Sequence, residues 1–179
     1  MKTFNLTSLI RPNVNRLKPY SSARDEFQGS ASVYLDANEN PYPSAYNRYP
    51  DPHQVSLKKK VSQIKHVPID QIFLGNGSDE PIDLLIRAFC EPGVDNVVIP
   101  QPTYGMYTVS AEINQVDIKA PRLTAEFDLD LKTLENTWND KSKLIFLCSP
   151  NNPSGNLLSA EKIKSVLRSF QGLVVVDEA

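Results

Sequence analysis

The chain has 179 residues, 40% hydrophobic and 22% charged, a composition that suits one soluble globular domain with a proper core. A formal net charge of -2 gives no electrostatic basis for nucleic acid or an anionic membrane as partner, and no apolar run approaches the ~18 residues a membrane helix needs. The polar stretch from Met1 to Arg11 lacks the apolar segment of a secretory signal, and Cys90 and Cys148 lie far apart in apolar surroundings, so reduced cysteines and a cytoplasmic setting are expected.

Residues 1–45 carry Pro12, Pro19, Pro41 and Pro43 and show little periodicity, which reads as an arm that packs on something else. Within it, Leu35-Asp36-Ala37-Asn38-Glu39-Asn40-Pro41-Tyr42-Pro43 is either a surface turn or a loop facing a pocket. Leu57, Val61 and Ile64 predict an amphipathic helix from about Gln54 to Lys65, with Lys58, Lys59 and Lys60 on its wet side. A short strand is expected at Ile72-Phe73-Leu74. It leads into Gly75-Asn76-Gly77-Ser78-Asp79-Glu80-Pro81 and a helix to about Cys90, with Ile82, Leu85, Ile86 and Phe89 on one face. Strand, glycine loop and helix together aim backbone N–H groups at one point, as an anion site does; a plain β-turn-α connection has the same pattern.

Val97-Val98-Ile99-Pro100 predicts another strand, and Gln101-Pro102-Thr103-Tyr104-Gly105-Met106-Tyr107 opens a helix to about Asn114. At that strand's end Tyr104 could lie flat on a planar ligand or simply fill the core. A strand at Val116 to Lys119 and a helix from Asp130 to Trp138 follow. The apolar run Lys143 to Cys148 then reads as a buried strand entering the rigid polar loop Ser149-Pro150-Asn151-Asn152-Pro153-Ser154-Gly155. After Ser159, Ile163, Val166, Leu167 and Phe170 mark one face of a helix. Gly172 precedes Leu173-Val174-Val175-Val176, expected to be a strand buried on both faces. Asp177 at its carboxyl end stands where ligands meet open α/β sheets. It could cap a helix, pair with an arginine, or face a protonated ring nitrogen such as that of pyridoxal phosphate. Alternation of strands and helices predicts a three-layer α/β fold with a mostly parallel sheet.

Taken together and in order, six stretches resemble the N-terminal half of the fold-type I, pyridoxal-phosphate-dependent aminotransferases, and within them the histidinol-phosphate aminotransferase family. They are Leu35 to Pro41, Arg48-Tyr49-Pro50, Gly75 to Glu80, Pro102 to Tyr107, Ser149 to Gly155, and Asp177-Glu178-Ala179. The resemblance implies an incomplete large domain over 46–179, preceded by the arm of 1–45, which would contribute to a small domain and to dimer contacts. It implies pyridoxal 5'-phosphate as cofactor, held by the backbone amides of Ser78 and Asp79 at its phosphate. Tyr104 would stack on the ring, Asn152 would bond its phenolic oxygen, and Asp177 would pair with its nitrogen. Tyr49 would reach the cofactor phosphate of a partner subunit in a homodimer, and Tyr20 and Asn38 would lie on the substrate side. The implied reaction moves an amino group between L-histidinol phosphate and 2-oxoglutarate in histidine biosynthesis.

The lysine that such enzymes link to the cofactor lies, by the same resemblance, beyond Ala179. The chain therefore reads as half an active site, inactive alone, with Val174, Val175 and Val176 left as an unpaired apolar edge. Two other readings stay open: a different fold-type I enzyme, such as a small-substrate aminotransferase or a threonine-phosphate decarboxylase, and a non-catalytic assembly module.

Overall fold

The computed structural model describes residues 5–22, 26–27 and 29–179. Contacts divide the chain into two units. One joins the described residues up to Arg16 with Gly75–Ala179, and the other is Leu17–Leu74.

The first unit is built on a four-stranded parallel sheet of β1 (Asn96–Val98), β2 (Asp117–Lys119), β3 (Ser142–Cys148) and β4 (Leu173–Asp177), ordered β2-β1-β3-β4. Pairing of β3 with β4 runs from Leu144 beside Leu173 to Cys148 beside Asp177. Side chains alternate across the sheet, as the period of two requires. Val97, Leu144, Phe146 and Cys148 join Leu173 and Val175 on one face; Val98, Ile145, Leu147 and Val174 lie on the other. The first face is covered by α3 (Asp79–Phe89) through Ile82 and Ile86 and by α4 (Met106–Ile113) through Tyr107 and Ala111. The second is covered by α5 (Leu131–Thr137) through Leu134 and by α6 (Ala160–Ser169) through Val166, with Leu129, Leu158 and Phe170. Helix, sheet and helix make the expected three layers. The peptide bonds before Pro102, Pro150 and Pro153 are cis.

Near the amino end, α1 (Pro12–Asn15) is tied to the last turn of α3. The Arg11 guanidinium donates to the Ala-flanking Arg87 carbonyl at 2.9 Å and pairs with Glu91 at 3.1 Å, while its backbone N–H donates to the Ala88 carbonyl.

Two local expectations need correction. Ile72–Leu74 joins no ladder, and Phe73 is 60% exposed; three apolar residues between turns carry too little pattern to specify a strand. β4 is half-buried rather than buried on both faces, because it lies at the edge of the sheet with Val176 38% exposed. In this sheet β4 pairs with β3 on one side alone, as expected of an edge at Val174, Val175 and Val176.

The second unit contains α2 (Val55–Lys65) and the 3-10 turn Ile69–Gln71 that packs with it. None of its described residues is buried. The predicted stripe of α2 is present in sequence, but Leu57 and Ile64 stay exposed, and the described residues of this unit form no buried core.

Candidate active site

The carboxyl ends of β1, β3 and β4 carry the loops singled out above, and backbone pairing alone brings them to one edge of the sheet. Cys148 is the register partner of Asp177, and the Ser149 N–H donates to the Asp177 carbonyl at 2.8 Å. Loop 149–155 therefore starts beside Asp177. Within that loop Asn151 is 3% exposed, and its side chain ties β3's loop to β1's loop. Its Nδ2 donates to the Pro102 carbonyl at 3.0 Å and to Ser154 Oγ at 2.6 Å, and its Oδ1 accepts from Thr103 Oγ1 at 3.1 Å. Further backbone bonds, from Asn151 N–H to the Asn156 carbonyl and from Gly155 N–H to the Asn151 carbonyl, close the loop on itself. Asn152, the residue assigned a ligand role from sequence, is left exposed at its tip.

Strand parity decides where the Asp177 carboxylate goes. Leu173 and Val175 pack toward the face covered by α3 and α4, and Asp177, two residues on, shares that side. There Tyr107 Oη donates to Asp177 Oδ2 at 2.6 Å. The Tyr107 ring stacks on Phe146, with centroids 4.9 Å apart and planes 12° apart, and it meets Tyr104 edge-on at 5.6 Å. Tyr104 in turn donates from its hydroxyl to Asp79 Oδ1 at 3.2 Å. Asp79, Tyr104, Tyr107 and Asp177 thus form one chain of contacts from the start of α3 to the end of β4.

Electrostatics keep both phenols as donors. Burial, aided by the bond to Asp177, pushes the Tyr107 hydroxyl well above the usual phenol range. Desolvation and the neighbouring Asp79 carboxylate raise that of Tyr104.

The amino end of α3 follows a glycine loop and carries Asp79 and Glu80 in its first turn. Gly77 has φ of +69°, a left-handed value, and a Cβ there would enter open space. Ser78 precedes the helix without capping it through its side chain, so the first N–H groups have no partner within the helix. The Glu80 carboxylate turns back to accept from the Asn76 N–H, bracing the glycine loop.

Tyr20, Asn38 and Tyr49 belong to the second unit and are described on that unit alone; Tyr20 is 92% exposed and Tyr49 72% exposed, and Asn38 is exposed too. The segments holding Asn38 and Tyr49 are clasped by Glu39, whose side chain is only 2% exposed. Its Oε1 accepts from the Tyr49 N–H at 2.8 Å and its Oε2 from the Arg48 guanidinium at 2.8 Å, while Asn47 Nδ2 donates to the Asn40 carbonyl.

Reading the sequence singled out Tyr104, Asn152 and Asp177 but gave no role to Glu39, Thr103, Tyr107 or Asn151. The only signal for them was membership of the same motifs, three residues or fewer from an assigned position. Cys90 and Cys148 are both buried and unpaired, as expected, and burial pushes the Cys90 thiol up to about 12. Among the described residues there is no cluster suited to a metal ion and no helix long and apolar enough to cross a membrane.

Comparison with known proteins gives the family and the fold. A family model described as aminotransferase class I and II matches residues 30–179. The histidinol-phosphate aminotransferase of Cytophaga hutchinsonii is 56% identical over 180 residues, covering 98% of this chain and 52% of that protein. The enzyme of the same name from Parabacteroides distasonis is 57% identical over 175 residues, covering 98% of this chain and 51% of that protein. Among solved structures, the histidinol-phosphate aminotransferase from Clostridium acetobutylicum matches with a TM-score of 0.62 at 26% identity, over 74% of this chain and 39% of that one. Cystalysin from Treponema denticola, whose structure contains pyridoxal 5'-phosphate, shares the fold with a TM-score of 0.59 at 23% identity, over 70% of this chain and 34% of that one. The chain spans about half the length of the curated relatives it matches. By the match over 30–179, the chain belongs to the class I and II aminotransferases.

Proposed function

We propose that these residues are the N-terminal part of a pyridoxal-phosphate-dependent enzyme that transfers an amino group between L-histidinol phosphate and 2-oxoglutarate in histidine biosynthesis. The observation that carries this reading is the 56% identity across 98% of the chain to an enzyme of that name. The donor set fits the cofactor. A carboxylate at a strand end suits a protonated ring nitrogen, an aromatic face suits a flat ring, an exposed amide suits a phenolic oxygen, and a glycine-opened helix terminus suits a phosphate.

In this reading Ser78 and Asp79 hold the phosphate through their backbone amides. Tyr104 covers one face of the ring, its hydroxyl anchored on Asp79. Asn152 donates to the phenolic oxygen from a loop made rigid by Asn151. Asp177 keeps the ring nitrogen protonated. When bound, the cofactor supplies an electron-withdrawing ring that accepts negative charge developing at the substrate carbon. Tyr49, its backbone N–H held by the Glu39 carboxylate that also pairs with Arg48, reaches the phosphate in a second copy of the chain, and the working unit is a cytoplasmic homodimer. Tyr20 and Asn38 lie on the substrate side.

The covalent link to the cofactor is assigned to a lysine outside these 179 residues. In the core unit Lys143 faces Asp95 at 3.9 Å, and Lys162 pairs with Asp128 at 2.9 Å and donates to the Leu129 carbonyl, so both ammonium groups are engaged elsewhere. The 179 residues by themselves are accordingly proposed to be inactive. The test is an assay of the whole enzyme with 2-oxoglutarate and either L-histidinol phosphate or threonine phosphate. Preference for histidinol phosphate is expected; preference for threonine phosphate, or decarboxylation of it, overturns the substrate assignment.

A further inference from the structure

We propose that Tyr107 is a positioning residue for Asp177, its hydroxyl holding the carboxylate in the orientation in which it meets the ring nitrogen of the cofactor. This rests on the reading of Asp177 given above.

The geometry leaves Tyr107 little freedom. Its side chain is fully buried, stacked on Phe146 and met edge-on by Tyr104. Its ring is therefore fixed, and with it the hydroxyl, the one polar atom of the side chain. A phenylalanine would fill the same space, so what tyrosine adds at 107 is the 2.6 Å hydrogen bond to Asp177 Oδ2. Bonds from a neutral donor to a carboxylate at this distance are among the strong ones.

Asp177 needs such a holder. It ends an edge strand, is half-buried, and its other oxygen accepts only the Ala179 N–H, at 3.1 Å, among the described residues. A carboxylate that turns freely meets a ring nitrogen in only a fraction of its orientations. One oxygen pinned by a rigid phenol presents the remaining lone pairs in a single direction. The loop before α4 and the first turn of that helix do this in succession. Tyr104 holds Asp79 at the start of α3, and Tyr107, three residues later, holds Asp177 at the end of β4. The bland alternative is a core tyrosine whose hydroxyl has merely found the nearest acceptor.

The two are separated with the whole enzyme and its Tyr107→Phe variant, using two probes: pyridoxal 5'-phosphate and its 1-deaza analogue, in which a C–H replaces the ring nitrogen. Dissociation constants are read from absorbance or fluorescence titration. The wild type is expected to favour pyridoxal phosphate. Loss of a hydrogen bond to a charged group corresponds to about tenfold, so the variant should lower that preference about tenfold with the analogue's affinity unchanged. If both affinities fall together, or neither falls, Tyr107 only fills space and the proposal is overturned. A wild type that discriminates while the variant keeps the full preference overturns this inference alone. A wild type that binds both probes equally overturns the assignment of Asp177 itself, and this inference with it. Should the phenylalanine protein not fold, 3-fluorotyrosine in place of Tyr107 keeps the shape and alters the donor. The preference then shifts with the analogue's affinity unmoved, because the altered donor changes only the bond to the carboxylate, and an unmoved preference overturns the proposal.

Discussion

Asn151 and Asn152 are neighbours of identical chemistry, and the structure predicts opposite consequences for replacing each by alanine. Asn151 is 3% exposed and makes three side-chain hydrogen bonds, to the Pro102 carbonyl, to Ser154 and from Thr103. Each such bond contributes about 0.5–1.5 kcal/mol net, so their loss alone sums to about 1.5–4.5 kcal/mol. The Thr103 hydroxyl and Pro102 carbonyl would also be left facing the gap, and an orphaned buried group costs about 1–3 kcal/mol. Water entering the cavity would offset part of this, and about 3 kcal/mol is the expected net cost of Asn151→Ala. Asn152 is exposed, and among the described residues its side chain makes no hydrogen bond. Asn152→Ala should therefore change stability by less than about 0.5 kcal/mol, as for ordinary surface positions, while weakening cofactor binding through the lost phenolic contact. Denaturant unfolding of the apo form of the whole enzyme measures the first quantity, and cofactor titration the second. A cost of 2 kcal/mol or more for Asn152→Ala, on the order of a core substitution, would refute the division of labour between the two. So would an Asn151→Ala protein as stable as the wild type.

Two further outcomes follow from other parts of the core unit. At Gly172 a Cβ would collide with the Lys143 carbonyl where β3 and β4 begin to pair, and with the Phe170 ring. Gly172→Ala should lower stability by about 1–3 kcal/mol, the usual cost of overpacking, read as a lower denaturant midpoint; an unchanged midpoint refutes the close approach. Burial alone would raise the Asp128 carboxyl, but N–H donors from Ser159 and Leu129 and the Lys162 ammonium outweigh it and hold the group below its ordinary value. A carboxyl lowered on folding adds stability above its unfolded value of about 3.9 and loses it as pH falls through the folded one. Asp128→Asn should therefore destabilise at pH 7, with the gap to wild type closing below about pH 4; a gap of constant size across a pH series refutes the assignment.

Legibility in the sequence followed the strength of local pattern. The helix Asp79–Phe89 was readable because Ile82, Leu85, Ile86 and Phe89 repeat at helical spacing, and β3 because the five residues after Lys143 form one apolar run that enters a proline-rich loop. Ile72–Leu74 failed because an isolated three-residue run looks the same whether or not another strand is present to pair with it. At the site, Tyr104 and Asp177 were noticed because they sit at strand ends, whereas the role of Asn152 came only from the resemblance of its loop to a family motif. Tyr107 and Asn151 were not noticed, since nothing in their own neighbourhood says that a phenol or an amide will be buried against a group 70 or 48 residues away.

Sequence alone determined which segments are strands and helices of the core unit, which loops stand at carboxyl ends, and that an acidic residue closes the last strand. These are properties of spacing and composition, carried by the chain whatever its neighbours. Only tertiary structure decided that β4 pairs with β3 in the register that sets Cys148 beside Asp177, that Asp177 shares a face with α4 and meets Tyr107, and that Asn151 rather than Asn152 locks the loops together. Those depend on strand order and register, where a shift of one residue turns every side chain to the opposite face, and no local pattern encodes which strand a given segment will pair with.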